Sequence, residues 1–235
     1  MSLLELENVS FENDGETILE NISVKIEPGD YISIVGPSGS GKSTFLKLCS
    51  HLINPTNGEI TYRDKKFIDY NPTELRKTIT YCFQTPYLFG ITVMDNIKFP
   101  FTIRKLAFDK NRVDELFSLF HITTDFLSKD VANLSGGEKQ RIALIRSLLF
   151  KPEILLLDEI TSALDEDNTK IVETVIESLN KEGVTVLFVT HDSEQSRKYA
   201  NRLLTIERGK IKSLEALKWT DQIQSVSHLY LLCLV

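Results

Sequence analysis

Polar and apolar residues alternate over positions 4–9 (Leu-Glu-Leu-Glu-Asn-Val), the pattern of a strand with one buried face. Positions 22–26 alternate in the same way and stop at the turn residues Pro28-Gly29-Asp30. A β-rich run at 31–35 ends in glycines, and a helix is expected over 43–52. From about 87 to 133 the period changes, with Val113, Leu116, Phe117 and Phe120 at helical i, i+3, i+4, i+7 spacing. A helix follows from 134, then an apolar strand at 154–157, a helix over about 169–179 and a second apolar strand at 184–189. Short apolar strands alternating with helices predict an α/β core with a parallel sheet covered on both faces. The middle of the chain reads as a helical insertion in that core.

Composition narrows the class. The 235 residues are enough for one large domain or two small ones, and a 42% hydrophobic share allows a real core. A formal net charge of −6 argues against a nucleic-acid binder. Cys49, Cys82 and Cys233 are scattered with no C-x-x-C pair, which suggests a reduced, cytosolic chain without a zinc or disulfide framework. Residues 1–5 do not resemble a secretory signal, and nothing approaches the ~20 apolar residues of a membrane span. If the protein works at a membrane, another chain supplies the spans. The tail at 214–235 lies past a final strand expected around 203–211; in it Trp219, Ile223, Val226 and Tyr230 follow 4-3-4 steps, which predicts an amphipathic helix of unassigned role.

The chemistry begins at Gly36-Pro37-Ser38-Gly39-Ser40-Gly41-Lys42-Ser43, a G-x-x-x-x-G-K-[ST] loop between an expected strand and an expected helix. Glycines let backbone N–H groups curl inward around phosphate oxygens, and the helix start adds its positive end. Lys42 is expected at the β- and γ-phosphates, the Ser43 hydroxyl on Mg²⁺ and Thr44 near the α-phosphate. The apolar strand at 154–157 ends in Asp158 and Glu159. Asp158 would hold Mg²⁺ through water, and Glu159 could act as base toward an attacking water.

Leu134-Ser135-Gly136-Gly137-Glu138 opens a helix with S-x-x-E spacing, which is a capping box. A glycine pair at a capped helix start is also a second anion site. Two such sites make sense if one chain closes over a nucleotide held by another.

Taken in order, these motifs resemble the nucleotide-binding domains of ATP-binding cassette (ABC) proteins: the phosphate loop, Gln84, residues 134–140, 154–159, Ser162-Ala163-Leu164-Asp165 and His191. The resemblance covers residues 4–211. It implies a P-loop ATPase core, mostly parallel, with an N-terminal antiparallel β-subdomain and a helical subdomain at about 87–135, all within residues 1–213. It also implies roles: Gln84 senses Mg²⁺ and the lytic water, His191 contacts the γ-phosphate, and Asp165 lies across a dimer interface. The expected assembly is a homodimer formed on ATP binding. It would sit on a separate integral-membrane permease, at the cytoplasmic face of the cell membrane.

The pattern departs from the family in two places. Asn13 stands where the family has an adenine-stacking aromatic, with Phe11 nearby but offset, and Ile160 replaces the usual proline after Glu159. The segments 81–90 and 157–166 are similar to bacterial iron-export ATP-binding subunits, and Ile160 fits that group. Phe83, Tyr87, Leu88 and Phe89 are the candidate face for a permease helix. His51, His121, His191 and His228 show no metal-ligand spacing, so iron is implied by resemblance alone. The other reading of the chain is a soluble single-cassette ATPase of an assembly machine.

Overall fold

The computed structural model describes residues 2–217; the expected helix through Trp219, Ile223, Val226 and Tyr230 lies outside them. Two sheets carry the fold. The antiparallel one has the order β2-β1-β4-β5, from Glu16–Ile26 (β2), Leu4–Asn13 (β1), Asn57–Tyr62 (β4) and Lys65–Lys66 (β5). The second has six strands: Lys210–Ala216 (β10), Arg202–Glu207 (β9), Tyr31–Val35 (β3), Thr185–Val189 (β8), Ile154–Asp158 (β7) and Ile79–Cys82 (β6), in the order β10-β9-β3-β8-β7-β6. All its neighbours run parallel except β10 against β9.

The parallel strands are buried on both faces, which is why β7 and β8 read as unbroken apolar runs. Their side chains divide by the two-residue period. Leu155, Leu157, Val186 and Phe188 join one core cluster with Phe117, Phe120 and Ile145 of the helical region. Ile154, Leu156, Leu187 and Val189 join another, with Phe45 and Leu46 of helix α1 (Lys42–Cys49) and the antiparallel sheet. The sheet is thus a partition between two cores, and the tips of β3, β7 and β8 converge at one edge.

The remaining helices are α2 (Pro72–Leu75), α3 (Val93–Arg104), α4 (Lys110–Leu119), α5 (Gly136–Leu148), α6 (Glu166–Lys181) and α7 (Gln195–Lys198), with short 3-10 turns at Phe67–Asp69, Thr124–Ser128 and Val131–Asn133. The helix expected over 43–52 ends at Cys49, and the reason is local. His51 takes a left-handed φ of 54°, Leu52 N–H donates to Lys47 O (3.0 Å) and His51 N–H to Leu48 O (3.1 Å), which is a Schellman stop. His121, with φ 53°, ends α4 by the same two bonds to Phe117 O and Ser118 O. Two of the four histidines are therefore helix terminators.

One strand expectation needs correction. The final strand placed at about 203–211 is two strands, β9 and β10, joined at Arg208-Gly209 with φ of 49° and 75°. That two-residue loop is a hairpin turn of the primed type, and β10 carries the sheet to Ala216, past the expected boundary at 213.

Candidate nucleotide site

The loop after β3 is shaped by glycines. A Cβ on Gly36 (φ +147°) would stand 2.0 Å from Ile206 O, and one on Gly41 (φ +101°) would stand 2.6 Å from Leu19 Cδ2. The chain therefore passes tightly between β9 and the antiparallel sheet before turning into α1. Gly41 is the N-cap of that helix and offers no side chain to its first-turn N–H groups, which leaves them to a ligand. Lys42 is buried, with Nζ donating to Gly36 O (3.0 Å) and Pro37 O (2.9 Å) across the loop. Burial pushes its pKa down, against the pull of the Glu159 and Asp158 carboxylates.

A cavity of about 390 Å³ opens over this loop, lined by residues 38–44, Ile18, Gln84, Glu159 and His191. Asp158, the last residue of β7, is buried beside it. Its Oδ1 accepts from Ser43 Oγ (2.9 Å) and its Oδ2 from Tyr81 Oη (2.6 Å). No group of three or more His, Cys, Asp or Glu suited to a metal occurs among the described residues. The hard oxygens of Ser43 and Asp158 nonetheless fit Mg²⁺, which takes one or two protein oxygens and fills its remaining positions with water and phosphate.

Glu159 follows directly at a left-handed φ of 51°, its N–H tied to Val189 O (3.1 Å). A non-glycine residue at such a φ is uncommon. The turn swings the carboxylate into the cavity, where Gln84 Nε2 donates to Oε2 (2.7 Å) and His191 Nε2 lies 2.7 Å from Oε1. The structure therefore brings together Lys42, Ser43, Gln84, Asp158, Glu159 and His191 from four separate stretches of chain.

Ser135, Gly136, Gly137 and Glu138 do not line this cavity. They form the start of α5, where Ser135 Oγ accepts from Glu138 N–H (3.2 Å) and Glu138 Oε2 accepts from Ser135 N–H (2.7 Å). That backbone donor holds the Glu138 carboxyl below its ordinary range. A Cβ on Gly136 would meet nothing within 4 Å, so packing within the chain does not require glycine there. Asp165 caps α6 through Asn168 N–H (2.8 Å), and the Asn168 bonds lower its pKa.

Several partners escaped the sequence reading. Gln195 is buried and bonds Thr161 Oγ1 (3.1 Å), Thr190 Oγ1 and Glu173 Oε1 (2.8 Å). It thereby ties the segment after Glu159 to the residue before His191. The available signal was Glu173, a charge on the face of a helix whose neighbours Val172, Val175, Ile176 and Leu179 are apolar; a buried charge demands a partner. Tyr81, on β6, carried no such signal. On the base side, Asn13 is exposed at the end of β1 and bonds Asp14 (2.7 Å), while Phe11 packs on the core; the cavity wall there is Ile18.

Phe83 and Tyr87 are 56% and 74% exposed, and Leu88 and Phe89 are half-buried. A groove of about 170 Å³ runs between this segment and α5. Its rim is braced from within. Arg146 donates to Tyr87 O (2.9 Å) and Asn96 Oδ1 (2.8 Å), and the fully buried Asn96 bonds both N–H and O of Phe89.

A glycine loop feeding a helix start at the edge of a parallel sheet, faced by paired carboxylates, defines a nucleotide-binding α/β cassette. Comparison with known proteins gives the family. Residues 19–162 match the profile described as ABC transporter. The chain is 42% identical over 206 residues to the probable iron export ATP-binding protein FetA of Escherichia coli, covering 87% of this chain and 91% of that one. It is 36% identical over 216 residues to the spermidine/putrescine import ATP-binding protein PotA of Mycoplasma mycoides, covering 91% of this chain and 61% of the relative. A dimeric ATP-binding cassette solved in a post-hydrolysis state with ADP and Pi superposes with a TM-score of 0.83 at 31% identity, covering 92% of this chain and 99% of that one. A cassette from Clostridium perfringens, part of the ABC transporter complex cbiONQ, gives 0.84 at 28% identity, covering 99% and 96%.

The chain belongs to the ABC transporter family. It is an ATP-binding subunit of that family, hydrolyses ATP and takes its nucleotide with Mg²⁺. No helix among the described residues is long and apolar enough to cross a membrane.

Proposed function

We propose that two copies of this chain close head to tail on MgATP and drive a separate membrane permease, with metal export, iron first, as the transported class. The observation that carries the dimer is the split site. The Ser135-Gly136-Gly137 helix start lies outside the Lys42 cavity, and Gly136 is bare where packing asks for nothing. A glycine kept open at a helix N-terminus suits a close-approaching phosphate from another chain.

In this reading the backbone N–H groups of residues 36–41, with Lys42, Ser43 and Thr44, hold the phosphates. Lys42 leaves the Gly36 and Pro37 carbonyls for the β- and γ-oxygens. Ser43 and Asp158, with Gln84 nearby, would hold Mg²⁺, which would supply positive charge to the phosphates. Glu159 accepts the proton of the attacking water, and His191 keeps that carboxylate turned inward and meets the γ-phosphate. Ser135 and Gly137 of the second copy, with Glu138 bracing their helix start, cap the same phosphate, and Asp165 lines the seam. Catalysis on this plan is positioning and charge stabilisation. Phe83 and Tyr87 receive a helix of the permease at the cytoplasmic face of the membrane. The metal cargo is supported by the likeness to FetA, while the PotA relatives are named for spermidine/putrescine import.

A mixing experiment tests the split site. Lys42→Ala and Ser135→Ala chains should each be inactive alone. Mixed, they should regain hydrolysis, because one of the two sites in the mixed dimer is then intact. Absence of recovery on mixing would refute the head-to-tail arrangement. Metal efflux dependent on this chain and its copurifying permease tests the cargo.

A further inference from the structure

Asp158 has two carboxylate oxygens, and the phosphate loop uses only one. Ser43 Oγ reaches Oδ1 at 2.9 Å, while Oδ2 accepts a 2.6 Å hydrogen bond from the Tyr81 hydroxyl. Tyr81 stands on β6, with Tyr81 and Leu156 partnered across to β7, so its ring approaches Asp158 from the neighbouring strand. The ring is held by an edge-on contact with Phe83 at 4.7 Å and by packing on the core beneath the antiparallel sheet. A phenylalanine would fill that space equally well, so the hydroxyl is present for Asp158.

A carboxylate on a single Cβ–Cγ bond is free to rotate unless an oxygen is tied. Tyr81 ties the far oxygen, which fixes the carboxylate plane and leaves Oδ1 facing Ser43. The phenol is the donor of this bond, because the carboxylate oxygen can only accept.

We propose that Tyr81 is a positioning residue that aims Asp158 at the nucleotide-bound magnesium and so sets the affinity of the site for that ion. The inference rests on the reading of Asp158 as the magnesium-side carboxylate. Partners that orient metal-binding groups are commonly worth ~10–100-fold in metal affinity, and a carboxylate acting through water belongs at the low end.

The test uses the full chain with Tyr81→Phe, which keeps the ring. Binding of a fluorescent ATP analogue is followed while Mg²⁺ is titrated, and again in EDTA. The expected result is a Mg²⁺ midpoint raised about tenfold with metal-free nucleotide affinity unchanged; the melting temperature should fall modestly, because the buried Asp158 loses a donor. An unchanged midpoint overturns the proposal. So does an equal loss of affinity in EDTA, which would make Tyr81 a packing residue. Asp158→Asn, measured in parallel, separates the two layers of the argument. If it leaves the midpoint in place, the reading of Asp158 itself fails. If it shifts the midpoint and Tyr81→Phe does not, only the Tyr81 inference fails.

Discussion

His191 Nε2 lies 2.7 Å from Glu159 Oε1, and the opposite oxygen of the same carboxylate is held by Gln84 at 2.7 Å. The Glu159 side chain is pinned from both sides above the Lys42 loop, at the end of a left-handed turn that aims it there. An acid held that firmly beside a phosphate cavity is placed for proton transfer. Glu159→Gln preserves the shape and the Gln84 side of the contact but removes the basic oxygen. Turnover should fall by ~10²–10⁴-fold, and ATP should now hold the chain as a dimer on size-exclusion chromatography. Hydrolysis at the wild-type rate would exclude Glu159 as the base.

The base-binding end should be permissive. Asn13, at the expected stacking position, turns its side chain to Asp14, the half-buried Phe11 packs against the core, and Ile18 lines the cavity. Stacking on an aromatic contributes ~1–3 kcal/mol in nucleic-acid sites, and its absence removes a main source of discrimination. ATP and GTP should bind within about tenfold of each other, a gap of no more than ~1.4 kcal/mol. Competition titrations with both nucleotides measure this. A preference of several hundredfold would mean that another group reads the base.

What the sequence makes legible follows from how each element is stabilised. β7 and β8 are buried on both faces and stand out as apolar runs; the loop at 36–43 stands out because its conformation demands glycine. β6 and β10 lie at the two sheet edges and do not. Ile79–Cys82 is only four residues long with no alternation, and Lys210–Ala216 has no buried residue, so its polar pattern merged with β9 until the Arg208-Gly209 turn separated them. The motif residues could be named, yet their mutual distances could not. The Tyr81–Asp158 and Gln195–Thr161 contacts join residues 77 and 34 positions apart, and no local period encodes them.

Gln195 gives a third prediction. Its amide satisfies Glu173, Thr161 and Thr190 in a buried cluster that also takes in Lys198, whose Nζ lies 2.9 Å from Glu173 Oε2. Gln195→Ala leaves a buried carboxylate short of a donor and unties the segments that carry Glu159 and His191. Stability should drop by about 1–3 kcal/mol in urea unfolding, the usual cost of an unsatisfied buried polar group. Hydrolysis should slow even at temperatures where the variant is fully folded. A loss in stability with no change in turnover would confine Gln195 to a packing role.

The groove beside Tyr87 sets the last test. Tyr87 is 74% exposed, but its backbone is anchored by Arg146, and that side chain in turn bonds the buried Asn96. The ring is thus presented on a rigid base without contributing to the core. Surface substitutions of this kind usually change stability by less than ~0.5 kcal/mol, so Tyr87→Ser should leave the melting curve in place. An exposed aromatic that seats a partner helix is commonly worth ~2 kcal/mol or more at the interface, about thirtyfold in affinity. Pull-down of the permease from detergent extract by the tagged chain should therefore fail for Tyr87→Ser and succeed for wild type. Full recovery of the permease with the variant would move the docking surface elsewhere on the cassette, and Arg146→Ala would then tell whether the braced loop has any part in it.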